Sequence, residues 1–420
     1  GHPYTVSSMS FHPAGKMLAV AGFDQNIWLW DVRTQRRMAS YKGHGATVIK
    51  IGFSPDGKFL ATASRDRTVR IWDVRSGAQV RVLRGHTNAV EGIAYAGDGE
   101  TLASGGSDTT IRLWDVVTGN QRRMLVGHTA EITGLGFNPG GTLLASASLD
   151  TKVRLWDVRS GTLVRLLQGH KAGVRSVDFS PDGKLLATAS HDRSARLWAI
   201  PGAQPRGAFS DHGNTVFGVA FTPDGRGLAT GGGDGTTRLR DLRRGTSRVL
   251  GRQPGRVYII DVNPRGSLVG APGSDGVARL WPTGTETKPV ALVGHRAEVN
   301  YLRFSPDGKL VATTSDDGTV RVWHATDGSP HWRAPVLVPN PPRLLTHMGW
   351  RRFDDEGAAG PAEARASWQR AVARARLGST TDDGKHLCFV SGGTLERWDL
   401  VGDWRSLRRP VKGRVERLLA

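Results

Sequence analysis

A histidine, a serine, an aspartate and a tryptophan recur at fixed spacing, and three of these residue types build hydrolytic triads. The complete sets are His44, Ser64, Asp66 and Trp72; His128, Ser148, Asp150 and Trp156; His170, Ser190, Asp192 and Trp198; and His295, Ser315, Asp317 and Trp323. A triad is needed once, whereas this set returns four times, and none of its serines has Gly-x-Ser-x-Gly surroundings. Walker, HExxH and EF-hand motifs are absent from the sequence. We therefore predict no catalytic residue.

The sets belong to a longer internal repeat. Turn sequences of the type Ser-Pro-Asp-Gly-Lys begin at 12, 54, 96, 138, 180, 222, 263, 305 and 381, so most successive turns are 42 residues apart. A Trp follows the repeated His by 28 residues, as Trp72 follows His44. Two periodic signals in phase indicate one structural unit that has been copied many times.

Each unit predicts four short antiparallel strands. In the second unit, the runs TVIKIGF, FLATAS, TVRIWDV and AQVRVLRG are separated by turn residues. Pro55 presets φ for the first turn, and Gly57 supplies a positive φ. One such sheet cannot bury both of its faces alone, but copies arranged around an axis can. The sequence therefore predicts an all-β propeller of four-stranded blades.

These units resemble WD-repeat (WD40) proteins of the regular, bacterial type. Each combines Gly-His, Ser-Pro-Asp-Gly, a small-residue strand ending in Ser, an Asp and Trp-Asp, closely over 1–325 and loosely over 379–409. The resemblance implies that the four recurring side chains form a structural tetrad in each blade. In that tetrad the indole donates to the Ser, the Ser to the His and the His to the Asp. We therefore expect no metal or cofactor there.

Departures from the pattern predict weaker blades. Gly22, Gly106 and Gly232 replace the Ser, so the indole and imidazole of those blades would lose a partner. Repeat six has Arg240 in place of the Trp, and repeat seven has no His. Repeats six and seven are thus expected to be the softest part of the array.

Eight regular repeats and a degenerate ninth leave the blade number open. A nine-bladed ring, an eight-bladed ring with an addition, and seven blades with a surplus all fit. We divide the chain into regular blades at 1–332, a Pro-rich and helical insertion at 333–378, and the ninth repeat with a basic tail at 379–420. The insertion holds the one predicted helix. Because the chain starts with Gly1 rather than Met, we expect a processed chain, an engineered chain or a fragment of a larger protein.

The net charge of +19 raises the possibility of a polyanion partner. One Arg stands two residues before the Trp position in most repeats, for example Arg70 and Arg154. Copying a blade copies this charge, which predicts a set of spokes rather than a patch. A basic segment near the C-terminus is a second contribution, and without aromatic platforms we rank nucleic-acid binding below protein binding. The single cysteine, Cys388, excludes a disulfide framework and fits a cytoplasmic protein.

The resemblance implies a non-enzymatic scaffold that binds proteins through its top face. That face carries the loop before the first strand of each blade and the turn between its second and third strands. The predicted contact residues are Phe23, Ile49, Arg65, Glu91, Glu131, Arg175, His191, Phe217, Arg256, Tyr258, Glu298 and Asp316. We expect a monomer or part of a larger signalling chain, without a membrane span. A ligand-binding or enzymatic site in the central channel remains the alternative from another class.

Overall fold

The computed structural model describes residues 6–284 and 288–333, together with four strands between 376 and 413. The chain forms two compact units, Gly1–Asn340 and Pro341–Ala420, and each is described here by itself.

The first unit contains eight four-stranded antiparallel sheets, here called blades 1 to 8. Blades 1 to 4 comprise β1 (Val6–Phe11), β2 (Met17–Gly22), β3 (Ile27–Asp31), β4 (Arg37–Tyr41); β5 (Val48–Phe53), β6 (Phe59–Ser64), β7 (Val69–Asp73), β8 (Gln79–Leu83); β9 (Val90–Tyr95), β10 (Thr101–Gly106), β11 (Ile111–Asp115), β12 (Gln121–Leu125); and β13 (Ile132–Phe137), β14 (Leu143–Ser148), β15 (Val153–Asp157), β16 (Leu163–Leu167). Blades 5 to 8 comprise β17 (Val174–Phe179), β18 (Leu185–Ser190), β19 (Ala195–Ala199), β20 (Gln204–Phe209); β21 (Val216–Phe221), β22 (Gly227–Gly232), β23 (Thr236–Asp241), β24 (Thr246–Arg252); β25 (Asp261–Val262), β26 (Leu268–Ala271), β27 (Val277–Pro282), β28 (Val290–Val293); and β29 (Val299–Phe304), β30 (Leu310–Ser315), β31 (Val320–His324), β32 (Pro330–Arg333). The predicted all-β fold is confirmed for these residues.

Blade 2 shows how the repeat makes a sheet. Its first two strands join at a turn in which Asp56 accepts a hydrogen bond from the Ser54 hydroxyl at 2.6 Å. Gly57 follows with φ of 74°, and a Cβ there would lie 2.2 Å from His12 Nε2, so this turn requires glycine. The second strand, FLATAS, is almost wholly buried because it is packed on both faces, whereas the fourth strand is largely exposed. Small residues in the second strand therefore allow neighbouring blades to approach.

The eight blades close into a ring. The first strand of each blade contacts the first strands of both neighbours, so these eight strands surround the axis. Hydrophobic clusters fill the spaces between adjacent blades; one of them joins Met9 and Trp30 of blade 1 to Val322 and Trp332 of blade 8. Of the three arrangements left open by the sequence, the eight-bladed ring is the one observed.

The second unit contains a ninth four-stranded sheet. Its strands are β33 (Arg376–Thr380), β34 (His386–Ser391), β35 (Thr394–Asp399) and β36 (Val411–Gly413). The ninth repeat therefore forms a sheet, and its first strand starts within the predicted insertion. The predicted helix lies outside the described residues. In the part of the chain that is described, no helix is long and apolar enough to cross a membrane.

Candidate functional site: the top face and the central channel

A chain of three hydrogen bonds links four side chains inside blade 2. Trp72 Nε1 donates to Thr62 Oγ1 at 3.0 Å, Thr62 Oγ1 lies 2.7 Å from His44 Nε2, and His44 Nδ1 lies 2.8 Å from Asp66 Oδ2. Because an indole N–H can only donate, the Thr62 oxygen accepts this bond and its O–H donates to Nε2 of a neutral imidazole. The Nδ1–H of that imidazole then donates to the Asp66 carboxylate. Every polar atom along the chain is thereby satisfied.

The hydroxyl that links the indole to the imidazole is not the one that the sequence predicted. Ser64, Ser148, Ser190 and Ser315 lie two residues too far along the second strand. The Ser64 hydroxyl donates instead to the carbonyl of Ala46 at 3.0 Å and accepts from the amide of Asp66 at 3.1 Å. It therefore holds the loop before the first strand against the turn after the second. The linking hydroxyls are Thr62, Ser104, Ser146, Thr188 and Thr313.

This register also corrects the prediction for Gly106. Blade 3 has a complete chain, because Ser104 accepts from Trp114 Nε1 at 2.8 Å and lies 2.7 Å from His86 Nε2. His86 in turn lies 2.9 Å from Asp108. Five blades therefore carry the full set among the described residues, namely blades 2, 3, 4, 5 and 8.

The remaining blades depart in different ways. In blade 1, Val20 stands at the hydroxyl position, and Trp30 Nε1 has no hydrogen-bond partner among the described residues. In blade 6, His212 and Thr230 are 2.8 Å apart, but Arg240 replaces the indole and contacts Asp211 at 2.8 Å. In blade 7, the buried Gln253 donates to the carbonyl of Pro272. The softness predicted for repeats six and seven stays a prediction.

Burial and hydrogen bonds set the protonation states of the histidines and aspartates in these tetrads. Burial lowers the pKa of His44, His128 and His212, although the paired carboxylates oppose this effect. Burial also opposes ionisation of Asp66, but hydrogen bonds from His44 and Thr68 outweigh it and hold the pKa of that carboxyl far below its usual range. Hydrolytic triads use the same order of hydroxyl, neutral histidine and carboxylate, but here Thr62, His44 and Trp72 are buried and the hydroxyl accepts from the indole. The four side chains therefore tie the strands of the blade together.

The arginines near the tryptophans are largely engaged within their own blades. Arg154 contacts Asp150 at 2.8 Å, Arg279 contacts Asp275 at 2.6 Å, and Arg70 donates to Gln79. These cations pair with the aspartates of the repeat, which supports the interpretation of this part of the charge as spokes. The basic C-terminal segment lies outside the residues whose side chains are described.

A β-bulge positions one top-face residue in most blades. In blade 2, Val48 pairs with Ser64 and Lys50 with Ala63, so Ile49 is an extra residue on the first strand. The same register shift places Ser7, Glu91, Thr133, Arg175, Phe217 and Asn300 at bulges. A bulge leaves its residue out of the ladder and re-aims the side chain. Four of the predicted contact residues, namely Ile49, Glu91, Arg175 and Phe217, therefore owe the direction of their side chains to a bulge. The sequence did not reveal this irregularity.

A polar network crosses the top face from blade 2 to blade 5. Glu91 accepts from the Ser107 hydroxyl at 2.9 Å, and Glu91 and Glu131 both act electrostatically on Arg65. Burial and the charge of Glu91 raise the pKa of Glu131, against the opposing effect of Arg175. Four predicted contact residues from four different blades thus share one electrostatic environment.

An aromatic cluster continues the same face across blades 5 to 7. The rings of Phe217 and Tyr258 lie 4.7 Å apart, and His191 meets Phe217 edge-on at 6.3 Å. The Arg175 guanidinium lies 6.0 Å from the Phe217 ring and joins the cluster to the polar network. Phe217 is only 8% exposed, so it supports the cluster from below, while Tyr258 and His191 are half-buried.

The other predicted contact residues stand at equivalent loop, turn and bulge positions of the blades. Phe23, Arg256 and Glu298 are half-buried, and Asp316 is exposed and accepts from Asn300 at 2.5 Å. Ile49 is half-buried at its bulge. All five occupy the repeat positions of the top face.

The channel contains charged residues that sequence reasoning missed. Lys50, Asp178, Asp261 and Arg303 stand on first strands, at positions where other blades carry Gly, Ala or Ser. Lys50 Nζ donates to the hydroxyl of Tyr301 at 2.8 Å, and Arg303 Nη1 donates to Asp261 at 2.8 Å. Their signal in the sequence is a departure from the small residues that most first strands carry at these positions.

Within the described residues, no group of three or more His, Cys, Asp or Glu side chains could hold a metal ion. The family model described as WD domain, G-beta repeat (WD40) matches residues 1–31, 35–73, 77–115, 119–157, 161–199, 203–241 and 287–324. These segments leave out 242–286, which holds Gln253 in the place of the repeated His. No curated protein matches this chain. With its ring of blades and more than half of its length matched, the chain belongs to the WD40 repeat family.

Proposed function

We propose that this protein is a non-enzymatic scaffold that binds a protein partner through the surface from Arg65 to Tyr258. The observation that carries the proposal is the continuity of that surface across six blades. Its polar part holds charges of both signs, and its aromatic part holds a ring pair beside a guanidinium. Arg and Tyr are the residue types that most often dominate protein–protein binding energy.

The rigid ring gives this surface a fixed shape. Its residues sit on loops and bulges that are held by buried hydrogen-bond chains rather than by flexible segments. A partner would therefore meet a preformed surface and lose little free energy in ordering it. Alternating charges suit a partner segment that carries both acidic and basic side chains around an apolar anchor.

A charge-reversal comparison tests this proposal. Tagged wild-type protein is used to capture partners from an extract of its own source, beside an Arg65→Glu/Arg175→Glu variant. The matched control is Arg165→Glu/Lys184→Glu, which makes the same change of charge at exposed residues on an outer strand and on the opposite face. Partners should be lost with the first variant and kept with the second. Identical partner sets for all three proteins, with unchanged circular dichroism, would refute the proposal.

Two finer statements belong to the same proposal. The domain would act as the interaction or sensing part of a larger cytoplasmic signalling chain, which rests on analogy with regular WD40 arrays. Nucleic-acid binding is the competing function, and the internal pairing of Arg154 and Arg279 weakens it. A gel shift at low salt checks it, since binding driven by phosphate contacts must weaken as salt rises.

A further inference from the structure

A cavity of about 300 Å³ lies against the first strands of blades 1, 2, 7 and 8, away from the top-face surface. Its charged wall consists of Lys50, Asp261, Tyr301 and Arg303. The rest of the lining is mainly apolar: Met9, Phe11 and Ile51 are buried behind it, whereas Val262, Pro264 and Pro306 are accessible. The cavity therefore offers charged and apolar surface within a single small space.

The two carboxylates near this wall already accept hydrogen bonds from the protein. Asp261 accepts from the backbone amide of Phe304 at 2.8 Å and from Arg303 at 2.8 Å. Asp178, whose charge acts on Arg303 and Asp261, accepts from the backbone amide of Phe221 at 2.8 Å. Both carboxylates join adjacent blades through these amides, which explains their place on the first strands.

The two cations retain donors for a ligand. The Lys50 ammonium has three N–H donors and makes one described bond, to Tyr301. Arg303 donates to Asp261 through Nη1 and also bonds Tyr301, yet 39% of its side chain is accessible. Because the residue stands on an inner strand, this accessible surface faces the inside of the ring, where an anion could reach the remaining guanidinium donors.

The phenol between the cations reports the sign of the local potential. Burial alone would raise the pKa of Tyr301, but the charges of Lys50 and Arg303 outweigh it and lower the pKa to about 7. The charges that face the phenol are those of Lys50 and Arg303, with Asp261 bound to Arg303 and Asp178 farther across the channel. A site that favours a buried phenolate favours other anions too.

We propose that this cavity binds a small organic carboxylate, with its carboxylate against the remaining donors of Lys50 and Arg303, on the channel side of Tyr301, and its apolar body against Val262, Pro264 and Pro306. The cations fit the head group, and the apolar lining separates such a ligand from inorganic phosphate. The volume is at the lower end of the range for small-molecule sites, so the ligand is the size of a single ring rather than a nucleotide. This site is independent of the proposed top-face function.

Calorimetric titration of the full chain with benzoate tests the proposal. Wild-type protein should bind benzoate saturably, with one site per chain. Lys50→Met should weaken binding about tenfold or more, because a charge-assisted hydrogen bond is lost. The control Lys58→Met removes the same charge at an exposed turn and should bind like wild type. Arg65→Glu should also bind normally, which separates this site from the top face.

A second measurement does not depend on the folding of any variant. Benzoate bound beside the phenol should raise the pKa of Tyr301, observed by ultraviolet titration of tyrosinate in wild type with Tyr301→Phe as the blank. Absence of saturable benzoate binding would overturn the proposal. Equal binding by wild type and Lys50→Met would do so as well, and so would binding of inorganic phosphate without benzoate, since the apolar wall would then be unused.

Discussion

The buried linking hydroxyl of each complete blade, a threonine in three blades and a serine in two, bonds two neighbours at once. Thr62 accepts from the indole of Trp72 and donates to the imidazole of His44, so its single hydroxyl satisfies two buried groups. Ser64, two residues later, bonds only the backbone of the adjoining loop and turn. The two hydroxyls should therefore differ in their contribution to stability.

Replacing Thr62 with Val keeps the shape of the side chain and removes its hydroxyl. Two buried polar groups then lose their partner, so we expect the free energy of unfolding to fall by about 2–4 kcal/mol. Ser64→Ala should cost less, about 1 kcal/mol. Urea unfolding followed by tryptophan fluorescence measures both, with the exposed Thr87→Val as control. A larger loss for Ser64→Ala than for Thr62→Val would reverse our assignment of the linking hydroxyl.

Asp178 should give the fold a stability term that falls with rising pH. Burial raises its pKa from 3.8 to about 6, so between these values the folded state binds more protons than the unfolded state. The stability that comes from the protonated form is therefore present below pH 3.8 and is lost as the pH rises through 6. This sign is opposite to that of the aspartates paired with histidine, whose contribution is lost in acid.

Asp178→Asn isolates this term because the amide oxygen can still accept from Phe221. Relative to wild type, the variant should gain up to about 3 kcal/mol at pH 8 and little or nothing near pH 4, since one pKa unit corresponds to about 1.4 kcal/mol. The difference between the two proteins is measured by urea unfolding across this pH range, which cancels the other titrating groups. A difference that does not change with pH would contradict the raised pKa.

At the scale of the blade, the sequence predicts most strands but does not predict which hydroxyl of the second strand bonds the histidine. Alternating apolar residues and the Ser-Pro-Asp-Gly turns locate the first three strands, because turn chemistry and burial are both local. Thr62 and Ser64 lie on the same strand two residues apart, and residues so spaced share one face of a strand. Only the position of His44, set by the packed loop, decides which hydroxyl it meets.

Blade 1 offers a test of the corrected register. Val20 pairs with Trp28 across β2 and β3, as Thr62 pairs with Arg70 in blade 2, so a Val20→Thr hydroxyl should meet Trp30 Nε1. We expect the free energy of unfolding to rise by about 1 kcal/mol, since a buried donor gains its acceptor. Val48→Thr is the control. It makes the same change at a buried strand residue that packs in a hydrophobic cluster, so it should be destabilising. Equal losses for both variants in urea unfolding would argue against the register.

The channel residues escaped the sequence analysis because they do not repeat. Lys50 and Asp178 come from blades 2 and 5. The ring brings Lys50 to Tyr301 of blade 8 and places Asp178 within electrostatic reach of Arg303. Periodicity reports what every blade shares, whereas a site in the channel is built from what single blades change. For the same reason, the repeat could predict the top-face positions but not that Arg65, Glu131 and Arg175 interact.

For the whole molecule, closure depends on the contact between the first and last regular blades. Trp30 of blade 1 and Trp332 of blade 8 lie 5.6 Å apart, and both belong to the cluster that fills this junction. His331 also bonds the carbonyl of Val32 at 3.2 Å across the same junction. Every junction between adjacent blades is thus filled by residues of 6–333, so the ring does not need a ninth sheet to cover an open edge.

A chain shortened to residues 1–333 should therefore remain folded, with a melting temperature within a few degrees of the full chain. A chain ending at residue 293 is the matched control. It lacks blade 8 as well as the second unit, and it exposes the two hydrophobic clusters that blade 8 fills with blades 7 and 1. That shorter chain should aggregate or melt far earlier, since unpaired blades expose apolar surface. Differential scanning calorimetry and light scattering compare the three chains. Equal loss of stability for both truncations would show that closure requires residues beyond blade 8.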